Sequence, residues 1–312
     1  MYFCVYGILL IALQLLIGNI DETFFRAPLN IALVLLLLAV SAYLRKRAFF
    51  QKLSGKQTSI LAIFVMILCT LVVGLTPQLS PAQAAVKGGF TAAHGIYNFT
   101  QSWIMAGSVL LILVNLFLVI LNRLDSKREI RTEVGFFLNH IGLLLVIISA
   151  FFGSADVVKL RMKLTDGGEP DAIAYPMTGN PVPLGFGVSL NNFTTEYYPN
   201  GTPMKYCAQI IVGKLPGRDM QKKTAQERMA QDNRAKSNRE RGNPAMEYAT
   251  KKMDIEVNHP ARYNGYDIYL ISYGTDYCMI ELQKQPWKYA LAGGIVCMLF
   301  GAMTMFMRRK EA

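Results

Sequence analysis

The sequence predicts a membrane protein of about six transmembrane helices, with an exported all-β domain inserted before the last helix. Three observations predict this fold. The 312 residues are 52% hydrophobic and only 17% charged, with a mean hydropathy of +0.28, whereas soluble domains carry about 25% charged residues. Several apolar runs approach the roughly 20 residues that cross a bilayer. Between the last two runs, the pattern changes to short stretches that alternate in the manner of β-strands.

The predicted spans follow from the apolar runs. They lie at residues 2–19, 28–44, 58–76, 103–122, 133–153 and 287–307. The first run lacks a basic start and a convincing cleavage site, so we interpret it as a retained span rather than a signal peptide. We divide the chain into two leading helices (1–45), a three-helix membrane core (46–154), an exported β-rich domain (155–286), and a final helix with a cytoplasmic tail (287–312).

The orientation follows from the lysines and arginines of the short loops, which favour the cytoplasmic side. Such residues cluster after the second and fourth predicted spans and at the end of the chain, whereas residues 77–102 hold one lysine and no arginine. Both termini are therefore predicted inside, and segment 155–286 outside. Because these loops contribute to the net charge of +11, the charge does not indicate a nucleic-acid partner.

The exported domain is predicted as a small antiparallel sheet or sandwich. Its strand candidates lie at 157–164, 186–195, 206–212, 252–257, 267–273 and 278–283. Asn200-Gly201 favours a tight hairpin turn between the second and third. The basic insert 214–252 holds 11 Lys and Arg against 5 Asp and Glu, an excess of six. A solvated or disordered charged segment and a contact with anions or membrane lipid both stay open, as do a lineage insertion and a partner-binding arm.

The fifth predicted span contains His140, an ionisable residue at membrane depth. Such residues are costly in hydrocarbon and mark functional sites by default, and a neutral imidazole is a good ligand for metal or haem iron. Asn139 and Gly142 lie on an adjacent helical face, where small residues would let another helix or a flat ring approach closely. The alternative is that His140 only forms a hydrogen bond with a neighbouring helix.

The other histidines and the cysteines give weaker signals. His94 precedes a span at the outer side, as an ordinary interfacial residue or an external axial ligand, and lies too far from His140 to share one haem with it. His259 is predicted in a turn. Cys207 and Cys278 lie in the exported domain, where a disulfide, separate buried thiols and a redox-active pair all stay open. The sequence has no P-loop, dinucleotide motif or zinc-spaced cluster, and no constellation for catalysis by this chain alone.

Three motifs in order resemble the ResB (CcsB) family of cytochrome c biogenesis proteins, and the resemblance extends over about residues 58–307. They are LNHIGLLL at 138–145; VPLGFGVSL at 182–190 with Phe193 and EYY at 196–198; and EVNHP at 256–260 with YNGYDIY at 263–269 and SYG at 272–274. Departures from the family pattern are the two leading spans, the short exported domain and His94, which matches no family ligand.

The resemblance implies a haem-handling subunit of the System II complex. Such proteins pair with, or are fused to, a CcsA-type membrane protein, move haem outward and present it to apocytochrome c. The family's intramembrane histidine is a haem axial ligand, and His140 matches its position. We therefore expect a transient, non-covalent b-type haem and a chain that is not a haem lyase alone. The expected location is the bacterial inner membrane rather than a thylakoid. The alternative is a non-catalytic membrane scaffold whose β domain docks a partner protein.

Overall fold

A computed structural model describes residues 2–21, 24, 26–126, 130–177, 179–214, 250–274 and 276–311. The chain forms two compact units, a helical unit of residues 1–156 and 286–312 and a sheet domain of residues 157–285. Of the basic insert, residues 215–249 lie outside the described residues. The prediction of several apolar helices with a separate antiparallel sheet domain is confirmed.

The helical unit is built mainly from six apolar helices. They are α1 (Tyr2–Ile17), α2 (Leu29–Leu44), α4 (Lys56–Leu75), α7 (Trp103–Leu124), α8 (Ile130–Phe151) and α9 (Lys288–Glu311). Within the described residues, four of these, α4 and α7–α9, are long and apolar enough to cross a membrane, whereas α1 and α2 have 16 residues each. The count of six spans therefore stays a prediction.

Short helices occupy connections that the sequence had suggested were loops. They are α3 (Ala48–Leu53), α5 (Pro81–Lys87), α6 (Gly89–Ala93), and 3-10 helices at Ile96–Gln101 and Gly153–Asp156. In α5, Ser80 and Gln83 form a reciprocal capping box, which satisfies backbone groups at the first turn. These turns are too short to produce a readable helical period in the sequence.

Helix α7 lies at the centre of the helical unit. Its residues Leu113 and Leu118 are fully buried, and it contacts α1, α2, α3, α4 and α8. A helix that is apolar on most sides and surrounded by others is expected to form such a core. The leading helices α1 and α2 are thus part of the same packed unit as the helices that follow.

Polar side chains attach α1 to the segment before α7. The buried Gln14 side chain donates to Asn19 Oδ1 at 2.7 Å and to the carbonyl of His94 at 3.1 Å. Its oxygen accepts the backbone N–H of Trp103 at 2.9 Å. Because a buried amide must be satisfied to offset its loss of water, this network fixes the end of α1 against the start of α7.

Asp156 joins three parts of the helical unit. Its carboxylate accepts the backbone N–H of Ala27 at 2.8 Å, Nδ2 of the fully buried Asn30 at 3.1 Å and Nε1 of Trp287 at 2.7 Å. Hydrogen bonds to a carboxylate are stronger than neutral ones. One side chain therefore holds together the start of α2, the end of the α8 segment and the start of α9.

Helices α8 and α9 approach each other closely through glycines. A Cβ added at Gly142 would lie 2.6 Å from the carbonyl oxygen of Gly294, and one added at Gly294 would lie 2.8 Å from that of Gly142. About two turns further along α9, a Cβ added at Gly301 would lie 2.8 Å from the backbone nitrogen of Asn139. Small residues at such spacing let helix backbones meet, so this face of α8 is covered by α9.

In the residues that the structure describes, the sheet domain is one eight-stranded antiparallel sheet in the order β5-β4-β3-β2-β1-β8-β7-β6. Its strands are β1 (Val158–Thr165), β2 (Asp171–Pro176), β3 (Val182–Tyr197), β4 (Pro203–Lys214), β5 (Thr250–Glu256), β6 (Ala261–Tyr263), β7 (Tyr266–Tyr273) and β8 (Tyr277–Lys284). Each of the six strand candidates overlaps an observed strand. Two more, β2 and β6, were not predicted.

Alternation along the strands builds the core of the sheet domain. Successive side chains point to opposite faces, and one face contributes the fully buried Phe186, Ile210, Ile255, Ile268 and Leu282. The long β3–β4 hairpin turns at Asn200-Gly201, where Gly201 has a positive φ of 81°. The hairpin turn that this dipeptide predicts is confirmed.

Candidate functional site

His140 lies on α8 with one ring nitrogen engaged. Its Nδ1 is 2.8 Å from the carbonyl oxygen of Phe136, one helical turn earlier. A carbonyl oxygen only accepts hydrogen bonds, so Nδ1 carries the proton and donates it. In the neutral imidazole, Nε2 then keeps its lone pair, which is the electron pair that binds a metal ion. Fixing the ring through its other nitrogen is also how proteins orient histidine ligands.

The ring of Phe136 holds the plane of the imidazole. The two ring centroids lie 3.8 Å apart with an angle of 29° between the planes, which is a stacked arrangement. Residues four apart on a helix are neighbours on its surface, so this contact follows directly from the sequence spacing. The hydrogen bond and the stack together leave the imidazole one preferred orientation.

A cavity of about 220 Å³ lies beside His140. Its wall comes from α4, α7, α8 and α9 and is mostly apolar, with a few polar groups. The lining residues are Ser59, Ile63, Ile112, Asn115, Leu116, Val119, Asn139, His140, Leu143 and Met298. Asn115 is engaged with a neighbouring segment, because its Nδ2 donates to the carbonyl of Leu53 at 2.6 Å. The cavity thus offers an apolar wall with one nitrogen base.

A second cavity of about 570 Å³ lies along three of these helices, α4, α7 and α8. Ile112 lines both cavities. The larger one is lined by Met66 and Met105 among other apolar residues. Its polar lining includes Gln101 and Ser154, in the 3-10 helices just before α7 and just after α8. Apolar space therefore follows the seam of these helices from His140 towards the other end of the helical unit.

The residues predicted around His140 have different positions. Asn139 lines the smaller cavity, and its Nδ2 donates to the carbonyl of Gly135 at 3.1 Å and lies 3.1 Å from Sδ of Met305. Gly142 lies against the backbone of α9 instead of lining the cavity. The sequence suggested that the small size of Gly142 lets either another helix or a flat ring approach closely. The structure shows the close approach of a helix.

His94 lies at the other end of α7 from the His140 cavity. It ends α6, and its ring meets the ring of Phe90 edge-on with centroids 4.3 Å apart. Ile112 is the first residue of α7 on the cavity wall, and Trp103 to Ile112 is roughly 14 Å along a helix axis. His94 and His140 are thus separated along α7. His259 lies in a tight turn, where its backbone pairs with Glu256.

Cys207 and Cys278 are free thiols. Cys278 lies in the buried core on β8, and Cys207 on β4 precedes the core residue Ala208. Because strand side chains alternate, Cys207 points to the face opposite the core, and the two sulfurs lie on different faces of the sheet. The disulfide that the sequence left open is not formed, and the opposite faces do not bring a redox pair together.

The cysteine environments predict different reactivity. Burial raises the pKa of Cys278 to about 11, and burial with the nearby carboxylates of Asp254 and Glu256 raises the pKa of Cys207. Since the thiolate reacts, we expect Cys207 to be alkylated more slowly than free cysteine at pH 8 and faster as the pH rises. Cys278 should react only on unfolding. Mass spectrometry after iodoacetamide treatment measures both, with Cys4, Cys69 and Cys297 replaced by alanine. Equal native rates would contradict the arrangement.

Several residues near the site were not found from the sequence. Phe136 was detectable, since it precedes His140 by four residues. Arg123, whose guanidinium carbon lies 5.1 Å from the ring centroid of Phe136, and Met298, which lines the cavity, were not. They reach the site from other helices, and helix pairing is a tertiary property. Within the described part of the chain, no group of three or more His, Cys, Asp or Glu residues is arranged to hold a metal ion.

Comparison with known proteins identifies the family. The model of the ResB-like family matches residues 122–290. Two proteins named cytochrome c biogenesis protein CcsB, from Prochlorococcus marinus strains MIT 9303 and MIT 9313, are 25% and 23% identical over 164 residues. These alignments cover 53% of this chain and 30% of each relative, so the chain spans less than a third of their length.

A solved structure named cytochrome c heme lyase CcmF is similar at a TM-score of 0.36 with 10% identity, over 88% of this chain and 44% of that chain. A similarity this weak carries no argument about the site. The family match, by contrast, includes His140 and the whole sheet domain and covers more than half of the chain. This protein therefore belongs to the ResB-like family.

Proposed function

We propose that this chain is the haem-handling membrane subunit of a System II cytochrome c synthase, which helps carry haem across the membrane and present it to apocytochrome c. The observation that carries the proposal is the engagement of His140 Nδ1 by the Phe136 carbonyl, which leaves Nε2 with its lone pair beside an apolar cavity. Histidine is a common axial ligand of haem iron. The family membership and the names of the two relatives support the same role.

The size of the cavity bears on how haem would bind. A space of about 220 Å³ is below the roughly 300–1,000 Å³ of ordinary small-molecule sites, so it would admit only part of a porphyrin. The rest would lie against a CcsA-type partner chain, which would also supply the second axial ligand. Such a half-site suits a transient, non-covalent b-type haem, because neither chain alone would enclose it.

The topology that we propose follows from the positive loops. With six spans, both termini and the α7–α8 connection would be cytoplasmic, and the sheet domain would lie on the periplasmic side of a bacterial inner membrane. His140 would then lie in the cytoplasmic half of its span, where haem enters. The thioether bonds would be formed on the acceptor's two thiols, so this subunit would position haem rather than act as a haem lyase alone.

The experiment that tests the function is a visible spectrum of the assembly purified with its partner. We expect a haem Soret band in the wild type, its loss in His140→Ala, and its retention in His94→Ala, the matched control in the same unit. Each variant is compared at equal protein concentration, with size-exclusion chromatography to check that the partner is still bound. A Soret band of unchanged intensity in His140→Ala would contradict the proposal.

An exposed surface favours the scaffold function as a second candidate. Near the tip of the β3–β4 hairpin, Tyr197 is 62% exposed, Tyr198 51% and Met204 49%. Clustered exposed aromatic and methionine side chains are typical of contact surfaces between proteins. If docking is the main role, replacing both tyrosines by serine should reduce capture of apocytochrome c or of the CcsA-type partner, while His140→Ala leaves cytochrome maturation intact.

A further inference from the structure

The contacts of His140 continue beyond Phe136 to a charged pair at the end of the α7–α8 hairpin. The guanidinium carbon of Arg123 lies 5.1 Å from the ring centroid of Phe136, which is itself 3.8 Å from that of His140. The guanidinium carbon of Arg123 therefore lies no more than 8.9 Å from the imidazole centroid of His140, since the two distances add to that value. A cation is thus held close to the nitrogen base, and both contact the ring of Phe136.

The faces that line the cavity also lead to this pair. On α7, Val119 lines the cavity and Arg123 follows one helical turn later on the same face. On α8, His140 lines the cavity, and Phe136 and then Glu133 precede it at successive turns. The Arg123 side chain is about one-third exposed, at 32%, so the cation lies where the lining faces reach the outside of the helical unit.

We propose that Arg123 binds a carboxylate of the haem whose iron is held by His140; this inference rests on the proposed function. Haem carries two propionates on one edge, several bonds away from the iron, while the rest of the ring is apolar. An apolar cavity with a base inside and a cation at its end matches that division. Arginine suits carboxylates because its planar guanidinium presents several donors in a fixed fork.

Glu133 acts as a positioning residue for Arg123. Its Oε2 accepts from Nε of Arg123 at 2.9 Å and lies 2.7 Å from Nη2. These contacts use two of the five N–H groups of the guanidinium. Glu133 is largely buried, so it holds the guanidinium over Phe136. The other N–H groups of the guanidinium are hydrogen-bond donors, and a propionate carboxylate accepts such bonds.

The test is a spectroscopic titration of the purified assembly with its partner, in a non-ionic detergent so that no lipid phosphate competes for Arg123. Haem and haem dimethyl ester, whose propionates are blocked, are titrated separately and followed by Soret absorbance. We expect the wild type to bind haem about tenfold more tightly than the ester. Arg123→Gln should weaken haem binding about tenfold and leave ester binding unchanged, and Arg123→Lys should lie between the two.

Arg45→Gln is the matched control, because Arg45 pairs with Asp125 at 2.8 Å and has no place in the stack on His140. It should bind both ligands as the wild type does. The inference is overturned if the wild type binds haem and ester equally, a comparison that needs no variant. Equal weakening of both ligands by Arg123→Gln would also overturn it. In either case His140→Ala still abolishes binding if the proposed function holds, so the two failures are distinguishable.

Discussion

His140→Gly is expected to lose the Soret band and to recover it when imidazole is added. The substitution removes the nitrogen base and opens a space beside the ring of Phe136, where free imidazole can lie in place of the side chain. The carbonyl that now accepts from Nδ1 would accept from the added imidazole in the same way. Since even supporting groups around a ligand contribute about tenfold or more, we expect loss of the ligand to reduce bound haem at least that much.

His140→Gln is the control for this rescue, because its amide fills the space and forms hydrogen bonds but does not ligate iron in the manner of imidazole. The spectrum is recorded with imidazole at several concentrations and with the same concentrations of a non-coordinating analogue. Recovery in His140→Gly and none in His140→Gln would separate ligation from a structural role. Wild-type haem content in both variants without imidazole would show that His140 is not the ligand.

Gly142→Leu is expected to separate α8 from α9 and to destabilise the helical unit by about 3 kcal/mol or more. At 2.6 Å from the carbonyl of Gly294, a Cβ cannot be accommodated without moving a backbone, and a helix backbone in a packed interface has little freedom to move. Thermal unfolding of the purified protein, followed by loss of monodisperse material on size-exclusion chromatography, measures the effect.

Gly293→Leu is the matched control. Gly293 lies on α9 next to Gly294, and a Cβ added to it meets nothing within 4 Å. The variant should unfold at the wild-type temperature. If Gly142→Leu also unfolds at that temperature but loses haem, Gly142 would be a neighbour of the bound ring, as the sequence allowed. The assignment of Gly142 to the contact between α8 and α9 would then be wrong.

The fold was predictable where a period persists for long enough. The alternation in β1 is clear over its eight residues, and Asn200-Gly201 marks a turn by its backbone preference. By contrast, β6 has three residues and β2 has six, which is too few for a period to exceed chance. The bounds of α1 and α2 were close to prediction. Each has 16 residues, which is shorter than the roughly 20 residues that usually cross a bilayer, so their crossing of the membrane stays a prediction.

The site was only partly predictable, for a related reason. The importance of His140 follows from its own chemistry in an apolar run, and the Phe136 contact follows from helical spacing. Arg123, however, looked like one of several basic residues of a cytoplasmic loop, because its neighbours in sequence are basic too. Its role in the stack depends on how α7 and α8 are paired, and the sequence of one helix does not encode which residue of another will face it.

The carboxylate of Asp156 has a consequence for any shortened form of the protein. Two of its three donors, Ala27 and Asn30, belong to the first 45 residues, which the family match does not reach. A fragment limited to the matched region would keep the indole of Trp287 as a partner of this carboxylate but would lose the other two hydrogen bonds. The leading helices therefore supply two of the three hydrogen bonds described for this carboxylate, and they are a structural component of the helical unit although they lie outside the matched region.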